Sequence, residues 1–305
     1  MGDGLHRPSP PSRRGRRIES GTALSRPAHI DMKNEARRTL KRLLARHHSA
    51  YRWTRRVWIV GRYLYGRPHE ADFAAFRLFP CQDGLFLDIG ANSGESVLSF
   101  RLFNRTSPVL SIEPNRYHEP DLRFLKRWID AFDYVLCAAG DTGGSATMYV
   151  PVYKDLPLTG EASFYRDQAI ENYWVREQVG AGETDAVRLI EVPVEMKRLD
   201  DLALRPAFIK IDVQGFESNV VAGLRRTIAE SRPVLLLERS GCDDALHSEL
   251  AELGYAAFVY LPGRGAFMPY RGQPAQNLFF LWGSQAELAG DPGRNRRSPG
   301  ETSEC

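Results

Sequence analysis

Between residues 85 and 282, short apolar runs alternate with amphipathic stretches, a pattern that predicts strands separated by helices. Leu85-Phe86-Leu87-Asp88-Ile89 reads as a buried strand ending in glycines, and residues 93–102 after it as a helix. A second strand is expected over 109–112, a second helix over 120–128 and a third strand over 134–138. Residues 146–150, after the Gly143-Gly144 turn, read as an added strand. Residues 208–212 form the next, followed by a helix over 217–230, a strand over 234–238 and a helix around 243–253. Runs at 256–260 and 277–282 close the series. Short apolar strands with intervening helices need cover on both faces, so the fold class is α/β with a largely parallel sheet. Such sheets take ligands beyond the carboxyl ends of their strands, at the topological switch point.

The flanks read differently. Residues 1–30 are rich in Pro, Ser, Gly and Arg and predict a disordered basic leader. Residues 31–66 predict a basic helical segment, with Leu40, Leu43, Leu44, His47 and Tyr51 at helical spacing. The domain proper is expected over 67–284, and 285–305 reads as a polar tail. The span 151–195 interrupts the alternation and reads as a lid or substrate-binding insertion. Its Tyr153, Phe164, Tyr165, Tyr173 and Trp174 either stack on a substrate ring or anchor the insertion to the domain.

Charge sharpens this division. The net +3 hides 16 Lys/Arg against 4 Asp/Glu in residues 1–66, whereas the remainder holds 25 against 34. The domain therefore lacks the basic footprint of a nucleic-acid binder, and no nucleic-acid partner is expected. The basic segment either touches an anionic membrane surface or a partner, or packs as a solvated helix on the domain edge. No run of 18 apolar residues predicts a transmembrane helix, and the N-terminus lacks the apolar core of a signal peptide. Cys81, Cys137, Cys242 and Cys305 support neither a disulfide framework nor a zinc site. Cys81 and Cys137 read as small core fillers. The expected location is cytoplasmic, with peripheral membrane contact through the leader as the variant.

The candidate chemistry lies at strand ends. In Asp88-Ile89-Gly90-Ala91-Asn92-Ser93-Gly94-Glu95, the two glycines permit a tight turn into a helix that presents free N–H groups. Glu113 follows Asp88 by 25 residues, at the end of the second strand, where a carboxylate can accept both hydroxyls of a ribose. A dinucleotide site would want G-x-G-x-x-G with a diphosphate at the helix N-terminus. Asp88 directly before the turn would repel a diphosphate but suits the amino group of S-adenosylmethionine; alternatively it holds the loop. Asp141, after the third strand, either accepts from an adenine amino group or belongs to a plain Asp-Thr-Gly-Gly turn.

A second cluster is Phe208-Ile209-Lys210-Ile211-Asp212-Val213-Gln214-Gly215-Phe216-Glu217. Lys210 and Asp212 share one face of a strand. Charges on a buried strand are costly unless paired or functional. The alternatives are a structural ion pair with Glu217 as a cap, or Asp212 orienting or deprotonating a substrate hydroxyl. Glu238 ends a neighbouring strand and either joins this acidic site or pairs with Arg239. No metal site is expected, although Asp212 with Glu238 offers oxygen ligands of the kind a divalent cation takes.

Taken together, F-L-D-I-G-A-N-S-G-E, S-I-E-P-N, A-A-G-D, F-I-K-I-D-V-Q-G-F-E and V-L-L-L-E resemble the FkbM family of methyltransferases, from about Phe86 to Phe280. The resemblance implies a Rossmann-like methyltransferase fold with a mostly parallel seven-stranded sheet, helices on both faces and one antiparallel strand near the edge. It implies S-adenosylmethionine as methyl donor and O-methylation of a hydroxyl on a sugar or secondary metabolite. By resemblance Asp88, Gly90, Asn92, Gly94, Glu113 and Asp141 match the cofactor-binding pattern, and Lys210, Asp212 and Glu217 the second signature. The basic leader lies outside the family core, and no nearby histidine offers an obvious base. The competing readings are an NAD(P)-dependent oxidoreductase on a similar sheet and a non-catalytic binding protein that retains the fold.

Overall fold

The structure, a computed structural model, describes residues 48–79, 84–171, 175, 179, 184–239 and 244–290. The expected leader over 1–30, Leu40, Leu43, Leu44, His47, Cys81, Tyr173, Trp174, Cys242, Cys305 and residues 291–305 lie outside the described residues. A helix α1 (His48–Leu64) leads through a 3-10 turn (Ala71–Leu78) to the first βα unit, β1 (Leu85–Ile89) and α2 (Glu95–Phe103). Then come β2 (Val109–Ile112), α3 (Glu119–Trp128), β3 (Phe132–Val135) and β4 (Ala138–Ala139). The middle of the chain holds β5 (Gly144–Tyr153), β6 (Leu156–Pro157), α4 (Arg166–Glu171) and β7 (Val187–Lys197). The last part runs β8 (Pro206–Ile211), α5 (Glu217–Gly223), α6 (Arg225–Ser231), β9 (Val234–Glu238), α7 (Asp244–Glu252), β10 (Tyr255–Leu261), β11 (Ala266–Pro269), β12 (Asn277–Trp282) and α8 (Gly283–Gly290).

The main sheet has the order β11-β10-β12-β9-β8-β1-β2-β3. It is mixed and eight-stranded, which corrects the expected seven. Strands β3, β2, β1, β8 and β9 pair in parallel, whereas β12 runs antiparallel to both β9 and β10. The extra strand is β11, antiparallel to β10 across the Pro262-Gly263-Arg264-Gly265 turn. Its short Ala-Phe-Met-Pro run sits at the sheet edge and is half exposed, so it carries little apolar signal. Successive residues of the central strands feed opposite cores, which is why these strands are apolar throughout. Phe86, Phe208, Leu236 and Phe279 join one core, where Phe76 makes ring contacts with Phe86, Phe100, Phe208 and Phe279 at centroid distances of 5.3–5.9 Å. Leu87, Ile209, Leu237 and Phe280 join the other, under α5, α6 and α7.

Other expectations shift in detail. The third strand ends at Val135; Ala138 and Ala139 instead pair with β7 in a second sheet of order β4-β7-β5-β6. The span 151–195 is not wholly irregular: β5 and β7 form an antiparallel ladder from Gly144↔Met196 to Tyr153↔Val187. The helix expected over 217–230 breaks at Leu224 into α5 and α6. The tail is helical through Gly290. Cys137 is buried and free, as a small core filler.

Candidate active site

The β1–α2 turn is wedged between two strands. Gly90 has φ +81°, donates its N–H to the Ile112 carbonyl at 2.9 Å, and lies so close to β8 that a Cβ there would stand 1.7 Å from the Asp212 carbonyl oxygen. Only a residue without a side chain fits a left-handed backbone at that approach. The Asp212 N–H in turn donates to the Ile89 carbonyl at 3.0 Å, so the two strand-end motifs meet backbone to backbone. Gly94, at φ +87°, starts α2 and abuts Leu125 of α3. Asn92 is also left-handed (φ 52°). Its N–H donates to Glu113 Oε2 at 2.7 Å, and its side-chain oxygen accepts from Arg55 of α1 at 2.8 Å.

Asp88 is fully buried beneath this turn. Its Oδ2 accepts from the hydroxyls of Ser96 and Ser111, both at 3.0 Å, tying α2 and β2 to β1. Burial holds its pKa above the ordinary range. It does not line the cleft above the turn, and neither does Gly94.

That cleft has a volume of about 100 Å³ and opens to solvent. One side is the Gly90–Asn92 turn with Glu113; Ile112, Ala138, Ala139 and Met148 give it an apolar wall. Thr159, Gly160, Ser163 and Phe164 of the insertion border it, and Asp212, Val213 and Gln214 form the far end. The insertion is pinned there: Tyr149 and Ser163 exchange two backbone hydrogen bonds, and the Thr159 carbonyl accepts from Asn115 Nδ2 at 3.3 Å. Among the aromatics of the insertion, Tyr153 is a buried anchor with Leu156, Leu158, Val175 and Val179, whereas Phe164 lines the cleft and packs on Phe216 at 5.0 Å.

Glu113 accepts from two backbone amides, Asn92 through Oε2 and Asn115 through Oε1 at 2.8 Å. Burial outweighs these bonds and pushes its pKa up to about 7. His118, which the sequence analysis passed over, also borders the cleft. Burial lowers its pKa to about 3, so the ring is neutral. Its Nε2 lies 3.3 Å from the Thr159 carbonyl, which can only accept, so Nε2 carries the proton and Nδ1 faces Ser93 at 3.1 Å. The free lone pair therefore points away from the cleft. The described lining holds no Lys or Arg.

At the far end, Lys210 Nζ donates to Asp212 Oδ2 at 2.9 Å. The amide of Gln214 reaches Asp212 Oδ1 at 3.3 Å and Glu238 Oε2 at 3.0 Å. Burial would lower the Lys210 pKa, but the charges of Asp212, Asp88 and Glu70 raise it above the usual lysine range. Burial likewise opposes ionisation of Asp212, yet Lys210 and hydrogen bonding from Glu238 bring its carboxyl down to about 2. Burial and the charge of Asp212 push Glu238 up to about 9. The two carboxyls thus hold one proton between them near neutrality. Glu238 joins this cluster, while Arg239 lies over the Tyr270 ring at 5.6 Å. The Lys210 ammonium already occupies the charged side of Asp212, which leaves the pair ill suited to a divalent cation.

Glu217 Oε1 accepts from the Val213 and Gly215 amides at 3.3 and 3.2 Å, so it shapes the turn that presents Gln214 and does not itself line the cleft. Asp141 is exposed and outside the cleft lining. The structure therefore gathers Gly90, Asn92, Glu113 and Asp212 around one space, sets Lys210, Glu238 and Glu217 behind it, and leaves Asp141 aside. Arg55, His118, Gln214 and Met148 were missed. His118 and Gln214 stand within five residues of motif carboxylates, a signal that was available; Arg55 and Met148 arrive from remote elements.

The model of the methyltransferase FkbM domain matches residues 88–257, more than half of the chain. No curated protein matches it in sequence. Among solved structures, the chain is similar to methyltransferase FkbM from Methylobacillus flagellatus KT at 17% identity and TM-score 0.42, covering 66% of this chain and 44% of that one. The chain thus spans less than half the length of that structure. It is similar also to a precorrin-6y C5,15-methyltransferase from Geobacter metallireducens GS-15, at 14% identity and TM-score 0.35, covering 69% of this chain and 84% of that one. With the family model extending over more than half its length, the chain belongs to the FkbM methyltransferase family.

Proposed function

We propose that the cleft binds S-adenosylmethionine and that the chain methylates a hydroxyl of a small molecule or saccharide. The observation that carries this reading is the cleft's charge: carboxylates at both ends, Glu113 and Asp212, and no Lys or Arg among the described lining residues. A dinucleotide's diphosphate finds no cation there, and neutral His118 supplies none. A ribose, an apolar-faced base and a cationic sulfonium each find a complement.

Glu113 would accept from the ribose hydroxyls, which would return to its carboxylate the hydrogen bonds that burial removed. Ile112, Ala138, Ala139 and Met148 would offer the base an apolar surface. When bound, the cofactor supplies an electrophilic methyl group on sulfur. The chain's task is then to aim an oxygen at it, and alignment of this kind contributes up to about 7–11 kcal/mol in ideal cases. Asp212 accepts a hydrogen bond from the acceptor hydroxyl and orients it. A carboxylate held near pKa 2 is a weak base. It is a sufficient one here, because an oxygen gaining a methyl group becomes strongly acidic as it loses its lone pair. Gln214, hydrogen-bonded to both Asp212 and Glu238, fixes the carboxylate's direction.

Calorimetric titration with S-adenosylmethionine tests this, with NADH as the control ligand. Binding by the wild-type chain that is lost in Glu113→Ala, with none for NADH, is the expected result. Absence of wild-type binding, or tighter binding of NADH, would overturn it.

A further inference from the structure

Helix α1 buries part of its apolar surface, with Ile59 in the core and Tyr63 packed against it, and leaves the rest uncovered. Its arginines face the domain: Arg55 donates to Asn92 and Glu95, Arg56 to Asp121 and the Pro120 carbonyl, and Arg62 to the Pro68 carbonyl. Other large apolar side chains face out. Trp53 is 68% exposed, Leu64 72% and the adjoining Tyr65 84%, with Val57 and Trp58 between them also exposed. Positions 53, 57 and 64 fall on one stripe at helical spacing, and 58 and 65 lie beside it. A surface helix ordinarily buries such a stripe. On the neighbouring α3, Trp128 meets Tyr63 of α1 edge to face at 5.5 Å, and Phe124 packs on Trp128. Phe124 and Trp128 are themselves about two-fifths exposed.

Charge says what covers this face. Exposed Arg67 follows α1 and exposed Arg127 adjoins Trp128, while Arg123 and Lys126 of α3 pair with Glu119 and Asp133. Helix α1 contains no acidic residue, and residues 1–47 before it carry twelve Lys or Arg against four Asp or Glu. Residues 67–305 carry the opposite excess, 34 acidic against 25 basic. Basic charge and exposed tryptophans thus fall in the same N-terminal part of a chain whose remainder is acidic. Trp and Tyr favour the headgroup level of a bilayer, and flanking Lys and Arg add attraction to anionic lipid. No described helix is long and apolar enough to cross a membrane.

We propose that the outer face of α1, with Phe124 and Trp128 of α3, docks the protein on an anionic membrane surface. The docking does not rest on the methyl-transfer reading. Should both hold, α1 sets the cleft beside the bilayer, because the same helix clamps the cofactor turn through Arg55 and Asn92.

The test is co-sedimentation of the full chain with vesicles of phosphatidylcholine alone and of an equimolar phosphatidylcholine–phosphatidylglycerol mixture. The wild type should bind the mixed vesicles, bind less as salt rises, and show tryptophan quenching by brominated acyl chains. The triple variant Trp53→Ser, Trp58→Ser, Leu64→Ser should keep its circular dichroism, since these side chains are exposed, and lose about tenfold or more in affinity. Three results would overturn the proposal. One is no wild-type binding to either vesicle. Another is a variant that binds like the wild type, which would assign attachment to the basic leader alone. The third is a wild-type dimer in light scattering that the variant converts to monomer, which would make a second copy the occupant of the face.

Discussion

Glu113 and Asp212 end two strands of one sheet and border one cleft, yet burial leaves the first half protonated near neutrality and the second fully charged. Desolvation opposes ionisation of both. The difference is in what each receives: Glu113 has two backbone amides, whereas Asp212 has a buried ammonium at 2.9 Å. Dipoles at hydrogen-bond distance do not offset the lost hydration of a carboxylate; a full opposite charge does. One end of the cleft is therefore soft, ready for a neutral diol, and the other is a fixed anion.

Removing Lys210 should break this contrast most severely. Lys210→Met leaves Asp212, Asp88 and Glu70 without their common cation, and loss of one partner of a buried pair costs about 3–5 kcal/mol. Urea denaturation would measure it, and an unchanged midpoint would show that Asp212 is held by other means. Gly90→Ala attacks the junction between the two ends. A methyl 1.7 Å from the Asp212 carbonyl, on a left-handed backbone, should cost roughly 2–3 kcal/mol in stability and abolish cofactor binding. A variant that binds S-adenosylmethionine normally would mean the two strand ends tolerate separation.

Glu113→Gln sharpens the contrast at the soft end. Loss of a charged acceptor should weaken S-adenosylmethionine binding about tenfold to a hundredfold in calorimetry. The same variant reports on pH. The folded Glu113 holds its proton up to about pH 7, above its ordinary value of 4.5, so its contribution to stability is full below pH 4.5 and is lost as pH rises through 7. The loss is at most about 3 kcal/mol in the ligand-free protein. Denaturation at pH 5 and pH 7.5 should show Glu113→Gln closing that gap; an equal pH dependence in both proteins would place the titration elsewhere. The smallest effect is expected from Arg55→Ala. It frees the Asn92 side chain, whose backbone amide faces Glu113, and should lower cofactor affinity only a few-fold, about 1 kcal/mol, since Arg55 is partly exposed. A loss as large as that of Glu113→Gln would promote α1 from support to a direct part of the site.

Most of the central sheet was legible because parallel strands buried on both faces must be continuously apolar, as Phe86-Leu87 and Leu235-Leu236-Leu237 are. The edges were not. Ala266–Pro269 and Ala138–Ala139 are too short and too weakly patterned to announce a strand, and their pairing is decided by a hairpin and by β7. In the site, Glu113 and Asp212 were legible as acids at strand ends, but Asp88 and Glu217, equally prominent in their motifs, turn out to hold the framework. Sequence position cannot separate an acid that faces the cleft from one that faces the turn beneath it, because a single tight turn reverses the direction.

The sequence by itself determined the strand series, the glycine turn and the placing of carboxylates at two strand ends, since these follow from local apolar pattern and from the backbone freedom of Gly90. Only the tertiary structure decided which carboxylate keeps its proton and which way α1 faces. Those depend on burial and on partners far apart in the chain: Lys210 stands beside Asp88 through strand pairing, and Arg55 reaches Asn92 from a helix that sequence reading left outside the domain.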